Sequence, residues 1–247
     1  MKVGRRIAGV TGLAFAGAVA AGWYFAGQVH TPSRLALGSN KTDQTPYLIT
    51  SPGPPGSTCT PAKATSPRWV ITSGTAGFRA HENFLNLQLP HEAVVRTDEV
   101  SGFIDAVERN GQVTIGAGCV AVHVSGLASA DTLPPPLKVT DRDELVGLLL
   151  HAKAHPYASF QVAPQSLPAP GPSPSDVKVR GSFELNGVAR AAVVSVTWRR
   201  ESGTVEAVGS APIDFRDFDV PVPGAQAAQF VEVEPVLTVE FSIAAHA

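Results

Sequence analysis

The chain has 247 residues and a formal net charge of −2, and only 16% of its residues are charged. An average soluble domain has about 25% charged residues, so this low fraction favours a protein that handles apolar material. Beyond the extreme N-terminus the basic residues cluster no further than the pair Arg199 and Arg200. Nucleic acid is therefore excluded as an expected partner, because binding it requires a basic patch or stripe.

Residues 1–27 predict export from the cytoplasm. Lys2, Arg5 and Arg6 precede an uncharged stretch over residues 7–27, which is long enough as a helix to cross a hydrocarbon core of about 30 Å. Because positive charge stays on the cytoplasmic side, we expect a single-pass membrane anchor with the rest of the chain outside. The small residues 18–20 also offer a cleavage site, so the alternative is a signal peptide and a secreted protein.

Residues 28–66 are rich in Pro, Ser, Thr and Gly and have no sustained apolar period, which predicts a linker. Cys59 lies in this linker and Cys119 in a predicted strand. An exported protein permits them to pair, and two unpaired thiols are the alternative. Neither cysteine belongs to a CxxC motif, so no redox or zinc role is expected.

Residues 67–247 are predicted to form one β-domain. Its first strands are expected at residues 69–72, 77–83, 99–107 and 112–124. Within the last of these, Gly116 and Gly118 indicate a bulge. Thr140 and the acidic residues after it predict a capped short helix that continues through Leu150. A strand entered through Pro156 follows, and the Pro-rich residues 163–175 are predicted to form a surface loop.

The last third of the chain has the period of two that is typical of an antiparallel sheet with one apolar face. Short polar turns separate its segments, which cover residues 179–188, 192–198, 209–218 and 231–245. Because alternate residues of a strand share a face, Val179, Gly181, Phe183 and Leu185 should all point into the domain.

In this order, the segments resemble the polyisoprenoid-binding YceI-like family over about residues 69–245. The matching features are the helix with Arg142 and Asp143, the following Pro156 and Phe160, the turn at 185–188, and the triplet Arg216-Asp217-Phe218. The chain departs from the family at Asn186, where a histidine is frequent, and at Asp219, where a glycine is frequent. Its Pro-rich insertion is also longer.

The resemblance implies an all-β fold, an antiparallel lipocalin-like β-barrel with one short helix, here preceded by a single N-terminal membrane helix. It also implies a long apolar lipid inside the barrel, an isoprenoid or an isoprenoid quinone, held for carriage, storage or sensing. The expected partners are thus this lipid and the membrane that the N-terminal segment enters.

An eight-stranded barrel has room inside for packed side chains or for one small ligand. The large apolar residues expected near the interior, and hence the candidate ligand-binding residues, are Phe78, Phe103, Phe160, Phe183, Leu185, Trp198, Phe218 and Phe241. The alternative is a structural or interaction module whose barrel is filled by these side chains and whose loops bind partners.

Patterns for catalysis are weak, so neither an enzyme, a metal nor a cofactor is expected. The pairs His81-Glu82 and His91-Glu92 lack the helical spacing of a zinc protease and are interpreted as solvated positions at strand ends. Serines followed by glycine occur without a GxSxG elbow. Asp214 and Asp217 are interpreted as turn caps.

Overall fold

A computed structural model describes residues 29–38, 59, 67–84, 89–133, 135, 137–221 and 231–246. The predicted membrane anchor and most of the predicted linker lie outside this part of the chain. None of the helices within the described residues is long and apolar enough to cross a membrane.

The described chain contains twelve strands and one α-helix, α1 (Val139–Leu149). Two short 3-10 turns, Val124–Gly126 and Phe215–Phe218, follow β4 and β10. The strands are β1 (Arg68–Phe84), β2 (Leu89–Thr97), β3 (Val100–Arg109), β4 (Gln112–His123), β5 (Ala128–Ser129), β6 (Tyr157–Val162), β7 (Gln165–Pro168), β8 (Ser175–Leu185), β9 (Val188–Glu201), β10 (Thr204–Asp214), β11 (Val231–Val233) and β12 (Val236–His246).

Eight of these strands close into an antiparallel barrel. Their order is β1, β3, β4, β6, β8, β9, β10 and β12, and β12 returns to β1 through the register Gly74↔Ile243 to Arg79↔Thr238. Closure removes the unpaired edges that an open sheet would leave. The all-β barrel with one short helix is thereby confirmed.

Three hairpins of the barrel have two-residue turns with positive φ at both positions. This is the type I′ geometry, whose twist matches that of the flanking strands, and it favours asparagine and glycine. The three turns are Asn110-Gly111 between β3 and β4, Asn186-Gly187 between β8 and β9, and Ser202-Gly203 between β9 and β10.

The predicted bulge lies in β4. Asp105 pairs with Ala117, whereas Ala106 pairs with Ile115, so Gly116 is the extra residue. The prediction from the glycines is confirmed at Gly116.

Several local predictions were wrong. Residues 69–72 and 77–83 belong to one continuous strand, β1, because β12 pairs with it across the intervening residues. The Pro-rich residues 163–175 include β7, which pairs with β4. The helix begins at Val139 after Lys138, which makes no side-chain cap, and Thr140 lies inside the first turn.

Two parts of the predicted linker contact the barrel. Cys59 and Cys119 form a disulfide with a Cα–Cα distance of 5.4 Å. Residues 29–38 lie along the outside of β1 and β2, where Arg79 donates to the backbone carbonyls of Pro32 and Ser33 at 2.8 and 2.7 Å. Backbone carbonyls and a cysteine of the predicted linker thus bind the barrel although this stretch has no apolar period.

Candidate functional site

The interior of the barrel contains a cavity of about 180 Å³, counted as the space open to the centre of a water molecule. Its walls are almost entirely apolar. Among the described residues that line it, only Ser159 and Glu240 are polar. The Glu240 carboxylate accepts hydrogen bonds from Arg79 and Arg96, and the neighbouring Val239 and Phe241 have their side chains in the core. This charge therefore lies on the outer side of β12.

Strand alternation builds these walls. On β8 the lining residues are Val179, Phe183 and Leu185, and on β9 they are Val194, Val196 and Trp198. The inward face predicted for β8 is thus confirmed. Because β-branched and aromatic side chains pack well on a pleated surface, the residues that favour strands also supply the apolar lining.

Two glycines make space for aromatic rings at the walls. A Cβ atom built at Gly181 would lie 2.6 Å from the Phe160 ring, and one at Gly209 would lie 2.5 Å from the Phe241 ring. Both distances are shorter than a van der Waals contact. The rings can therefore lie against the sheet only because these positions carry no side chain.

Six of the eight predicted site residues line the cavity: Phe78, Phe160, Phe183, Leu185, Trp198 and Phe241. The structure thus brings together residues from β1, β6, β8, β9 and β12. Their role in binding a ligand stays a prediction.

Phe103 does not lie in the interior. It packs against the Cys59–Cys119 disulfide, and the Arg68 guanidinium carbon lies 4.3 Å from its ring centroid. The alternation of β3 turns the adjacent Ile104 inward instead, and Ile104 lines the cavity. The expectation for Phe103 was wrong because aromatic residues also cover the outer face of a sheet where another segment packs on it.

Phe218 is buried but does not contact the cavity. Its ring meets the Phe183 ring edge to face, with centroids 5.4 Å apart. It therefore supports a lining residue from behind, in the preferred geometry of an aromatic pair.

Other lining residues were not predicted from the sequence. Val124, Leu127, Leu150 and Phe215 belong to turns or to the end of α1, and all four line the cavity. Phe215 meets Phe78 edge to face at 5.6 Å. Turns have no period that indicates an inward face, so the sequence carries no signal for these positions.

A buried charged network lies where α1 meets β1 and β2. The Arg142 guanidinium contacts Asp131 Oδ1 at 2.6 Å and Glu82 Oε2 at 3.5 Å, and His91 Nε2 lies 2.7 Å from Asp131 Oδ2. Glu82 and His91 are buried, so their interpretation as solvated positions was wrong. Each faces the other across the β1–β2 pair, which the sequence spacing does not reveal.

The two carboxyl groups of this network have opposite pKa shifts. Burial raises the pKa of Glu82, and the attraction of Arg142 offsets only part of that effect. For Asp131, burial also acts to raise the pKa, but hydrogen bonds from His91, Arg142 and the Val94 backbone outweigh it and the pKa is lowered. Within the described residues, no group of three or more His, Cys, Asp or Glu side chains is placed to hold a metal ion.

A second, larger concavity of about 550 Å³ lies on the outside of the barrel. Charged and polar residues contribute to its walls, including Arg34, Asp176 and Lys178. The smaller interior cavity is the better candidate for an apolar ligand, because its walls bury no unpaired charge.

Several solved structures align with this chain. A polyisoprenoid-binding domain from Saccharophagus degradans, implicated in plant cell wall breakdown, aligns with a TM-score of 0.52 at 14% identity, covering 73% of this chain and 98% of that one. The Burkholderia cenocepacia protein BcnA aligns with a TM-score of 0.46 at 17% identity, covering 68% of this chain and 95% of that one. A Campylobacter jejuni YceI protein aligns with a TM-score of 0.44 at 12% identity, covering 62% of this chain and 84% of that one.

No curated protein sequence matches the chain significantly. At the identities above, the structural likeness to the Saccharophagus domain shows a shared fold. A family model for the YceI-like domain matches residues 78–245, which is more than half of the chain. The family resemblance of the sequence is thereby confirmed, and the chain belongs to the YceI-like family.

Proposed function

We propose that this protein binds a long apolar lipid in its barrel, outside the cytoplasm, and acts as a carrier, store or sensor rather than as an enzyme. The observation that carries this proposal is the interior cavity with its almost wholly apolar walls. Such walls can bind hydrocarbon and offer nothing to a charged substrate.

Burial of apolar surface would supply the affinity. At about 25 cal/mol per Å², a ligand that buries a few hundred Å² gains several kcal/mol before the costs of ordering are subtracted. No specific polar contact is needed for a gain of this size.

The ligand class that we propose is an isoprenoid or an isoprenoid quinone. The support is membership of the YceI-like family and the name of the Saccharophagus neighbour, a polyisoprenoid-binding domain.

Two features support a location outside the cytoplasm. The uncharged residues 7–27 follow three basic residues, as in a membrane anchor or a signal peptide. The Cys59–Cys119 disulfide is of the kind that persists in oxidising compartments.

A barrel filled by its own side chains is the second candidate, and the size of the cavity favours it. Ligand pockets usually measure about 300–1,000 Å³, so a long lipid would fit only if lining side chains moved. In that case the protein would be an interaction module that binds partners through its loops.

The substitution Phe183→Arg tests the lipid proposal. Mass spectrometry of an organic extract should find lipid in the purified wild-type protein and none in this variant, because an unpaired charge would lie on an apolar wall. The matched control is Val236→Arg, since Val236 is 47% exposed and pairs with Asp214 on the outside.

Because Phe183→Arg can also impair folding, circular dichroism must first show an intact barrel. The uncharged substitution Val179→Trp, which fills the same cavity, provides a second variant with the same expected loss. Wild-type protein without lipid, or folded variants that retain it fully, would contradict the proposal.

A further inference from the structure

Two exposed leucines form an apolar patch on α1. Leu145 is 40% exposed and Leu148 is 70% exposed, and residues three apart on a helix are neighbours on its surface. The other exposed large apolar side chains of the described residues, Val70, Val193 and Val236, lie on three different strands. Single apolar residues are common on protein surfaces, whereas adjacent ones mark a candidate contact surface.

Charge is distributed unevenly around this patch. Asp141 and Glu144 are exposed in the first half of α1, whereas residues 145–152 include no Asp, Glu, Lys or Arg. The next charged residue is the exposed Lys153. Such an arrangement suits a bilayer surface, because apolar side chains can enter the interface while the nearby ammonium group stays among the lipid headgroups.

The same part of the chain closes one end of the cavity. Leu148 is exposed, Leu149 packs against the core, and Leu150 is buried and lines the cavity. Val124 and Leu127 line the cavity as well. Only a few residues of chain therefore separate the apolar patch from the apolar interior.

The chain before the barrel indicates what covers the patch. The uncharged stretch that we expect to span the membrane ends at residue 27, and the described chain starts at Val29. Two residues reach at most about 7 Å. The point where the chain leaves the bilayer would therefore lie close to Val29.

Hydrogen bonds hold this starting point at the α1 end of the barrel. The His30 backbone N–H donates to Thr132 Oγ1 at 2.7 Å, and the Thr132 backbone N–H donates to the His30 carbonyl at 3.1 Å. The preceding residue, Asp131, accepts from Arg142 of α1 at 2.6 Å. The expected membrane attachment and α1 thus lie at the same end.

We infer that α1 docks on the lipid bilayer through Leu145 and Leu148, so that the end of the barrel that α1 closes faces the membrane. Two leucines alone would bind a bilayer weakly, but a short tether makes the contact intramolecular and raises its effective concentration. The inference rests on the proposed membrane anchor. It goes beyond the proposed function, because it concerns where the barrel contacts the membrane and not what the cavity binds.

Fluorescence quenching in vesicles tests this orientation. Full-length Leu145→Cys protein is labelled with a polarity-sensitive fluorophore at its only free thiol, since the two native cysteines form the disulfide. The protein is reconstituted in vesicles of phosphatidylcholine and phosphatidylglycerol that contain a phosphatidylcholine with a spin label near its headgroup. Quenching by the spin label reports contact with the bilayer.

The matched control is Val70→Cys. Val70 is 41% exposed, as Leu145 nearly is, and it lies on β1 twelve residues before Glu82, which contacts Arg142 of α1. At about 3.3 Å per residue, this separation is about 40 Å along the strand. We expect several-fold stronger quenching at position 145 than at position 70.

A second substitution excludes an effect of the fluorophore itself. Leu148→Glu, added to labelled Leu145→Cys, should lower the quenching to the level of the Val70→Cys control, because a carboxylate beside the label opposes insertion. Val193→Glu in the same background should leave the quenching unchanged, since Val193 is exposed on β9. Circular dichroism checks that each variant is folded.

The outcomes separate this inference from the other proposals. Equal quenching at positions 145 and 70, or quenching that Leu148→Glu does not reduce, would overturn the inference alone if the protein stays in the vesicles after an alkaline carbonate wash. Loss of the protein in that wash would overturn the membrane anchor together with the inference. Lipid binding in the cavity is decided separately, by the Phe183→Arg test.

Discussion

Asn186 joins three segments of the chain at one end of the barrel. Its amide Nδ2 donates to the carbonyls of Phe218 and Asp219 at 3.1 and 3.3 Å, and its Oδ1 lies 2.8 Å from His151 Nδ1. The residue has a φ of 53°, which asparagine tolerates better than most residues. Thus Asn186, a departure from the family pattern, both forms the turn and ties it to the 3-10 turn and to the end of α1.

Asp219 shows how a second departure is accommodated. It has a φ of 54° and follows the 3-10 turn Phe215–Phe218. Glycine adopts this left-handed conformation most readily, and aspartate is among the few other residues that do so. The backbone path is therefore kept without glycine.

Glu82 makes the stability of the protein depend on pH. Its pKa is raised by burial above its ordinary value of 4.5, so the folded state binds the proton more tightly than the unfolded state does. The favourable contribution is fully present below pH 4.5 and is lost as pH rises through the folded pKa.

We therefore predict that the free energy of unfolding of the wild type, relative to Glu82→Gln, increases as pH falls from neutrality toward 4.5. Urea unfolding of both proteins at each pH measures this difference. A difference that stays constant across the range would contradict the prediction. Asp131 does not add to this change. Because its pKa is lowered, its contribution to stability is constant above its ordinary pKa of 3.8 and is lost only at lower pH.

At the scale of elements, α1 docks through charged side chains as well as through partly buried apolar ones. None of its residues is fully buried. Arg142 donates to Ser129 Oγ at 2.9 Å and to Asp131 at 2.6 Å, and Asp143 accepts from the Ser129 backbone at 2.9 Å. Val146 and Leu149 pack against the core while partly buried, and Leu150, just beyond the helix, is fully buried there.

We predict that Arg142→Ala destabilises the protein by about 3 kcal/mol, because it leaves two buried carboxylates without their shared cation. Urea unfolding measures the loss, and hydrogen exchange of the α1 amides shows whether the helix detaches. Leu148→Ala in the same helix is the control, since Leu148 is 70% exposed and its truncation should cost less than about 0.5 kcal/mol. Equal effects of the two substitutions would show that the network does not hold the helix.

At the scale of the whole molecule, the segment before the barrel contributes to its stability. Arg79 is buried although it points outward, because residues 29–38 cover it and supply two of its acceptors. The other acceptors are Glu92 and Glu240, on β2 and β12. The disulfide adds a covalent link across 60 residues of sequence.

We predict that the double substitution Cys59→Ser and Cys119→Ser lowers the free energy of unfolding by about 4 kcal/mol, the loop-entropy value for a link of this length. Denaturant unfolding under oxidising conditions measures the loss. Wild-type protein treated with a reductant serves as the control and should lose a similar amount. A loss below about 1 kcal/mol would show that the link adds little to the barrel.

Much of the fold follows from short-range signals in the sequence. The alternation in β8 placed Phe183 and Leu185 inward, the glycines of β4 marked the bulge at Gly116, and Asn-Gly and similar pairs set the hairpin turns. These features depend on neighbours within a few residues, so the sequence alone determined them. The family motifs then indicated that the strands form a barrel.

Tertiary structure decided what depends on residues far apart in the chain. Phe103 shows this, since its outward ring is partly buried by packing against the disulfide of Cys59, which lies 44 residues earlier in the sequence. The Glu82–Arg142 contact and the cover over Arg79 join segments that no local period relates. The cavity likewise depends on how side chains from opposite strands fill the space between them. Local alternation fixes which way a side chain points, but only the closed barrel fixes what it meets there.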